Sequence, residues 1–254
     1  MLAGTVFQDT RKPLVLWFRA IWYVTSQKTG VSALGLQRVL GLGSYRTAWT
    51  WLHKLRRAMV RPGRDRLSGR AEVDEAYIGG HTPEDYGRSK GKKALIVVAV
   101  EEDGKGIGRI RMRRVDAATA DNLHRFVAGA VEPGSAVHTD GWEGYTGLDK
   151  KGYDHEVTLM GRRAKQESSL LPRVHRVVSL LKRWLLGTHQ GAVRHEHLDY
   201  YLDEFTFRFN RRTSRHRGKL FYRLLQQATA IEPTPYSEIV RRGRGKCPRD
   251  HNIL

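Results

Sequence analysis

Residues 71–80 read AEVDEAYIGG, and two more segments rich in apolar and β-branched residues follow, KALIVVAVEED at 93–103 and GIGRIRMRRVD at 106–116. Short runs of this composition, bounded by Gly and Asp, predict three β-strands. The third segment alternates with a period of two, and the intervening EDGKG predicts a hairpin turn. These residues indicate a β-sheet that begins near residue 71.

The sheet is expected to continue beyond one helix. The supporting segments are ATADNLHRFVAGAV (118–131), a helix with Asp116 or Thr119 as its cap; SAVHTDG (135–141), a fourth strand; HEVTLM (155–160), a possible further strand; and VHRVVSLLKRWLLG (174–187) and HEHLDYYLDEFTFRFNRR (195–212), two helices. Strands mixed with helices in this way predict an α/β fold, with helices on both faces of a mixed sheet.

A small all-α domain is predicted in front of the sheet. Apolar residues recur at helical spacing in LVLWFRAIWYV, ALGLQRVL and TAWTWLHKLRRAM, with Ser32 and Ser44 as N-caps and GLG at 41–43 as the break. This pattern is typical of a helix-turn-helix, and a plain helical bundle fits it equally well. In a helix-turn-helix, the residues offered to DNA would be Tyr45, Arg46, Thr50, Lys54 and Arg57.

The expected domain boundaries follow from changes in pattern. Residues 1–60 form the helix-turn-helix-like domain, and RPGRDRLSGR at 61–70 is a linker because it is rich in Gly and Arg without periodicity. The α/β domain covers 71–230. The tail, 231–254, ends in a basic, aperiodic segment and is predicted to be mobile.

The charge of the chain points to a polyanionic partner. Lys and Arg number 45 against 26 Asp and Glu, a net charge of +19, and basic side chains gain affinity for nucleic acids by releasing counterions. Charge alone also fits a ribosomal or merely basic protein, and less well an acidic membrane surface.

A cytoplasmic, nucleoid-associated location is expected. No apolar run approaches the roughly 20 residues of a membrane-spanning helix, and the first residues lack the layout of a signal peptide. The single cysteine, Cys247, excludes an internal disulfide framework and a Cys-based zinc site within these 254 residues.

Two aspartates are candidates for metal binding. Strand alternation places Asp74 and Glu75 on opposite faces, so only one of them is expected to face a metal, while Asp140 ends its strand before a Gly. Carboxylates hold hard cations such as Mg²⁺, and a pair of such cations about 4 Å apart promotes phosphoryl transfer. A strand-end Asp is also a common turn former, so neither residue is decisive alone. The Gly79–Gly80 pair would permit a close backbone approach.

Four segments together carry a resemblance to a known family. They are VDEAYIGG (73–80), HTDGWEGY (138–145), SLLKRWLLGTHQGA (179–192) and HLDYYLDEFTFRFNRR (197–212), and they resemble the DDE-class transposases of bacterial insertion sequences, in the ISXO-two-like branch. The similarity runs from TVFQDTRKPL to FYRLLQQA, residues 5–228. It implies a ribonuclease H-like catalytic domain that cleaves and transfers DNA strands at terminal inverted repeats.

The same resemblance implies the cofactors and partners. Two divalent metal ions, Mg²⁺ or Mn²⁺, would serve catalysis. The partners would be double-stranded DNA, both inverted repeats and target, and further copies of the chain, at least as a dimer. Relatives also begin with a zinc ribbon, which this sequence lacks, so either its start is trimmed or it manages without the ribbon.

The resemblance places the first two catalytic carboxylates at Asp74 and Asp140, but the third position departs from the family. Where relatives carry Glu, this chain has His175, seven residues before Lys182, so that both lie on one helix face. The implied catalytic set is Asp74, Asp140, His175 and Lys182, with the first three as metal ligands. Imidazole binds Mn²⁺ better than Mg²⁺. A structural His175 in a weakened enzyme is the alternative.

Glu204 is a second candidate for the third carboxylate. It ranks lower because Tyr201, Phe205 and Phe209 form a core face on its helix and because it is placed to pair with Arg208. The expected DNA contacts outside the front domain are Arg183, Arg208, Arg211 and Arg212.

Two other functions stay open on the sequence. One is a DNA-binding regulator that descends from a transposase and has weak or lost catalysis. The other is a ribonuclease H-like nuclease that acts on RNA or on DNA junctions without inverted repeats.

Overall fold

The computed structural model describes residues 2–61, 63–79, 93–159, 170–191 and 193–242. The helices are α1 (Leu14–Ser26), α2 (Ala33–Leu40), α3 (Tyr45–Ala58), α4 (Ala120–Ala130), α5 (Pro172–His189), α6 (Leu198–Phe209), α7 (Arg217–Ala230) and α8 (Tyr236–Arg242). The strands are β1 (Arg70–Ile78), β2 (Ala94–Asp103), β3 (Gly106–Val115), β4 (Ala136–Asp140) and β5 (Asp154–Thr158). Within these residues, no helix combines the length and apolar character needed to cross a membrane.

The chain divides into two compact units. Among the described residues, the sheet unit is Asp65–Arg183, and the helical unit combines the residues up to Arg64 with those from Trp184 to Arg242. Residues 184–230, which the sequence assigned to the α/β domain, thus cluster with the N-terminal helices. Of the tail that was predicted to be mobile, residues 236–242 form α8. Residues 243–254, including Cys247, lie outside the described residues, as does Gly80.

The sheet unit has the predicted mixed sheet. Its strand order is β3-β2-β1-β4-β5, with β2 antiparallel to both β1 and β3, and β4 parallel to both β1 and β5. This is the ribonuclease H-like order, so the expected fold class is confirmed. The predicted hairpin is also present: β2 and β3 are joined through Gly104, whose φ of 53° suits glycine.

Alternation along β1 gives its two faces different surroundings. Ala71 and Val73 are buried in a core with Leu123 and Val127 of α4. Thr119 caps this helix by accepting a hydrogen bond from Asn122 N at 3.4 Å. Glu72 and Asp74 therefore point to the opposite face. The strand thus separates an apolar side, which packs on α4, from a side that carries carboxylates.

The helical unit begins as the sequence predicts. Ser32 caps α2 by accepting from Gly35 N at 3.0 Å, while Ser44 holds the N-cap position of α3 without a side-chain hydrogen bond. The Trp17 and Trp51 rings stack at 3.8 Å in a core that also contains Phe207. Helices from both ends of the chain therefore share one core.

A buried ion pair ties α3 to α6 inside this unit. The Glu204 carboxylate, 1% exposed, accepts from Arg56 Nε at 2.8 Å through Oε2 and from Arg208 Nε at 2.8 Å through Oε1. These two guanidinium groups lower the pKa of Glu204 to about 2, in spite of burial, which alone would raise it. Arg208 also donates to the Val24 and Gln27 carbonyls at the end of α1.

Glu204→Gln is expected to lower the free energy of unfolding by about 3–5 kcal/mol, because it leaves buried guanidinium charge uncompensated. Chemical denaturation at neutral pH measures the change. The matched control is Asp121→Asn, which removes an exposed carboxylate paired with Arg125 at 2.7 Å and should cost at most about 0.5 kcal/mol. Equal effects of the two substitutions would contradict this assignment.

Candidate functional site

The parallel pairing of β1 with β4 determines where the two candidate aspartates lie. The register pairs Glu72 with His138, and Asp74 and Asp140 each stand two residues further toward the carboxyl end of their strands. Asp140 is the last residue of β4, and its Oδ1 accepts from Trp142 N at 3.0 Å. The two carboxylates therefore lie at the same end of the sheet.

His175 joins this pair from the first turn of α5. Its Nε2 lies 3.9 Å from Asp74 Oδ2, and both side chains are partly exposed, at 34% and 15%. The pKa of Asp74 is raised to about 6, chiefly by burial, and further by repulsion from Asp140, while His175 acts in the opposite direction. His175 thus lies beside Asp74, and Asp140 is close enough to Asp74 to raise its pKa.

Glu75 adds a third carboxylate to this negative cluster. Burial is the largest cause that raises its pKa to about 7, followed by repulsion from Asp74 and Asp140. Its Oε1 atom is buried, and the nearby Tyr145 hydroxyl counters part of this rise in the pKa. As strand alternation predicted, Glu75 points to the opposite face from Asp74. It nevertheless lies close enough to both aspartates for their charges to raise its pKa.

The donor set fits a divalent cation. Carboxylate and imidazole groups are ligands for Mn²⁺ and related ions, and a cation would offset the repulsion that raises the pKa of Asp74. Asp74, Asp140 and His175 are therefore the residues that would hold the metal.

A second carboxylate cluster lies nearby but is already neutralised by protein groups. The ligand atoms of Glu72, Glu102 and His138 lie within 4.8 Å of one another, closer than those of the predicted set in the part of the chain that is described. Arg173 Nη1 stands 3.0 Å from Glu72 and 3.2 Å from Glu102, and His138 Nε2 lies 2.7 Å from Thr158 Oγ1. The guanidinium takes the place of a cation there.

Lys182 lies on the same side of α5 as His175. The apolar side of the helix buries Val174, Val177 and Leu181, whereas Lys182 and Arg183 are exposed. This arrangement agrees with the seven-residue spacing and leaves both basic groups accessible to a polyanion.

Glu204, the alternative third carboxylate, has no oxygen to spare. Both of its oxygens are bound by arginines and it is buried in the helical unit. This occupancy favours His175 for the third position.

The predicted DNA contacts of α3 have varied surroundings. Tyr45 and Arg46 are exposed, and the Arg46 guanidinium stacks over the Tyr236 ring at 3.8 Å. Thr50 and Lys54 are half-buried and bond to backbone carbonyls, of Arg46 at 2.7 Å and of Val6 at 3.5 Å. Arg57 is half-buried as well.

The arginines at the end of α6 differ in accessibility. Arg212 is exposed over the Phe209 ring, and Arg211 is half-buried over Phe207. Arg208, which was predicted to contact DNA, instead uses its guanidinium on Glu204 and on the carbonyls at the end of α1. A charge count along the sequence could not separate these roles.

Two residues next to the site were not predicted from the sequence. Glu72 precedes Asp74 by two residues on the same strand face, and Arg173 precedes His175 by two in α5; they pair at 3.0 Å. The i, i+2 spacing of Glu72 and Asp74 in AEVDEAYIGG was a usable signal, but nothing in the sequence linked Glu72 to Arg173.

Comparison with known proteins places this geometry in a family. Residues 66–210 match the model of the ISXO2-like transposase domain. Among solved structures, the chain is similar to one in the simian T-cell lymphotropic virus intasome in complex with PP2A regulatory subunit B56 gamma, at 14% identity and a TM-score of 0.36. That match covers 65% of this chain, which spans 63% of the intasome chain.

A second match is to a chain of the Mos1 strand transfer complex, at 12% identity and a TM-score of 0.32. It covers 94% of this chain and 82% of that one. No curated protein sequence matches.

Asp74→Asn is expected to raise the melting temperature of the metal-free protein by about 2–4 °C, the effect of roughly 1 kcal/mol in a chain of this size, because it removes the cost of a buried charge and the repulsion from the neighbouring carboxylates. Mn²⁺ should then stabilise the native chain but not the variant. Calorimetry with and without Mn²⁺ measures both effects. Glu143→Gln, which changes an exposed carboxylate near Asp140, serves as the control and should leave both unchanged. A lower melting temperature for metal-free Asp74→Asn would contradict the account.

Proposed function

The chain belongs to the ISXO2-like transposase domain family, and we propose that it cleaves DNA at the terminal inverted repeats of an insertion sequence and joins the ends to target DNA. The family consists of DDE transposases, which are phosphoryl-transfer enzymes, and membership implies the use of divalent metal ions. One observation of the structure carries the proposal to this chain: Asp74, Asp140 and His175 converge at one end of a sheet with the ribonuclease H-like order.

The roles proposed for the site residues follow from their chemistry. Asp74 and Asp140 would hold the metal ions through oxygen, and His175 would add a nitrogen ligand. When bound, two divalent cations activate the attacking oxygen and stabilise the leaving oxygen of a phosphodiester. Lys182, exposed on the same helix side, would hold a non-bridging phosphate oxygen near the site and so orient the strand.

Binding of double-stranded DNA is proposed to use exposed basic residues outside the metal site. The net charge of +19 supplies a general attraction, and Arg46, Arg183 and Arg212 are the accessible members of the predicted set. Tyr45 is exposed beside Arg46 and would contact the same DNA.

The other predicted contacts are less accessible. A smaller contribution is proposed for the half-buried residues Thr50, Lys54, Arg57 and Arg211. Arg208 is not proposed to bind DNA, because its guanidinium donates to Glu204 and to backbone carbonyls inside the protein.

The proposed reaction also determines the assembly and the place of action. Two element ends must be joined in one event, so we propose at least a dimer of this chain on DNA. The substrate would be chromosomal, which would put the protein at the nucleoid in the cytoplasm.

Asp74→Asn and Asp140→Asn are each expected to reduce strand cleavage and transfer at least about a hundredfold, because metal coordination supplies several kcal/mol of transition-state stabilisation and 1.36 kcal/mol corresponds to tenfold in rate. The measurement is a gel assay on a duplex that carries the element end, with Mg²⁺ or Mn²⁺. Asp121→Asn is the control for loss of one carboxylate and should keep full activity. Unchanged activity in either site variant would refute the metal assignment.

His175→Ala is expected to reduce strand transfer strongly, whereas His175→Glu should keep or raise activity in Mg²⁺, because a carboxylate is the better ligand for that ion. Comparing initial rates in Mg²⁺ and in Mn²⁺ separates the two ligand types. The native chain should prefer Mn²⁺ more than His175→Glu does. Equal rates for the native chain and His175→Ala would refute the role of His175.

A DNA-binding regulator with weakened catalysis is the second candidate function. His175, in place of the carboxylate that relatives carry, is the observation that favours it. Such a protein would bind the element ends but show no metal-dependent cleavage, and His175→Glu would then create or restore activity.

A further inference from the structure

The buried carboxylate of Glu72 binds the first turn of α5. Its Oε2 atom accepts from Arg173 N at 2.8 Å and from Val174 N at 2.9 Å, and Glu72 is only 1% exposed. The first backbone N–H groups of a helix have no partner within the helix, and a carboxylate there also interacts favourably with the helix dipole. A side chain of β1 therefore supplies the cap of α5 from outside the helix.

The Arg173 side chain also holds the start of α5, through its guanidinium group. Its guanidinium donates to Glu72 Oε1 at 3.0 Å and to the carbonyls of Gly104 and Gly106, both at 3.0 Å. Nη1 is also 3.2 Å from Glu102 of β2. The start of α5 is thus held to β1, to β2 and to the turn between β2 and β3. Because the guanidinium is a rigid planar fork, these bonds fix direction as well as distance.

These contacts share their two elements with the candidate site. Glu72 and Asp74 are two residues apart on one face of β1, about 7 Å at the rise of a strand. On the helix, His175 directly follows Val174, whose backbone N–H binds Glu72. The contact between Asp74 and His175 at 3.9 Å is therefore adjacent, along both β1 and α5, to the contact between Glu72 and Val174 N.

We infer that Glu72 and Arg173 form a clamp that sets the position of α5 along β1 and thereby brings His175 to Asp74. Glu72 and Arg173 are positioning residues: they act on the site through the helix and do not touch the reacting atoms. The role of His175 at the metal rests on the proposed function, whereas its placement by the clamp does not.

The burial of Glu72 supports positioning over a direct chemical role. Its Oε2 accepts from two backbone N–H groups and its Oε1 from the Arg173 guanidinium, so protein groups already compensate its charge. Partners that orient metal ligands typically alter metal affinity or activity by about 10–100-fold when they are removed.

The placement of His175 can be measured without metal or DNA. In a Cys247→Ser background, Asp74→Cys and His175→Cys place one thiol on β1 and one on α5, and the rate of disulfide formation with oxidised glutathione reports how often the two positions come close enough to be bridged. The measurement is made with Glu72 intact, with Glu72→Ala and with Glu72→Gln. Glu72→Ala should slow the cross-link at least about tenfold, since displacements on the order of 1 Å have large effects on such proximity.

Glu72→Gln should give an intermediate rate. Its one carbonyl oxygen can still accept from both backbone N–H groups, but its amide nitrogen would face the Arg173 guanidinium. Arg173→Ala is the converse variant, since it leaves the cap and removes the fork, and it too should slow the reaction. Circular dichroism verifies that each variant is folded. If Glu72→Ala does not fold, the rates of Glu72→Gln and Arg173→Ala decide between the outcomes.

The matched control is Glu101→Gln. Glu101 is an ion-paired carboxylate on the neighbouring strand, 2.6 Å from Arg109 Nη2, and it has no contact with α5 among the bonds described. Its loss should leave the cross-linking rate unchanged. An unchanged rate in folded Glu72→Ala, or in both Glu72→Gln and Arg173→Ala, would overturn the inference.

The strand-transfer assay, run on the otherwise native chain, then separates positioning from the proposed function. Glu72→Gln should lower kcat about tenfold or more with little change in KM for DNA, whereas Glu101→Gln should change neither. If the cross-link responds to Glu72 but even the native chain does not cleave DNA, the clamp stands and the proposed function fails. If DNA is cleaved but the cross-linking rate does not depend on Glu72 or Arg173, the proposed function stands and the clamp inference fails.

Discussion

The parallel register of β1 and β4 is the constraint on which the candidate site depends. It pairs Glu72 with His138, and so places Asp74 and Asp140, two residues later in each strand, at one end of the sheet. A shift of one residue would turn Asp74 to the face that packs on α4 and would bury Val73 among carboxylates. The apolar core around Val73 and Val127 therefore holds the acidic residues in place.

Negative charge near β1 is compensated by protein groups at Glu72 but not at Asp74 and Glu75. Glu72 is buried and neutralised by Arg173 and by the start of α5, and its role is to hold structure. Asp74 and Glu75 are near other carboxylates, and their pKa values are raised to about 6 and about 7. In a chain of net charge +19, a local excess of negative charge is unusual. Such an excess is typical of a site that binds a cation.

The helical unit shows how the same residue types serve stability. Arg56 and Arg208 are buried against Glu204, and Arg208 also binds the end of α1, so charged groups fix the packing of helices from the two ends of the chain. Arg212, four residues after Arg208, is exposed. The run of arginines looks uniform in sequence, but Arg208 pairs with the buried Glu204, whereas Arg212 lies beyond the end of α6 at Phe209 and is exposed.

The sequence by itself determined the strands, most helices, and the two aspartates. Periodicity and Gly-bounded apolar runs report local backbone preference, and VDEAYIGG and HTDGWEGY carry the family resemblance. Only the tertiary structure decided the rest: that residues from 184 onward join the N-terminal helices, that Glu204 and Arg208 are structural, and that Glu72 and Arg173 hold α5 beside Asp74. The reason is separation along the chain. Glu72 and Arg173 lie about a hundred residues apart, and a hydrogen bond between them leaves no local pattern in either segment.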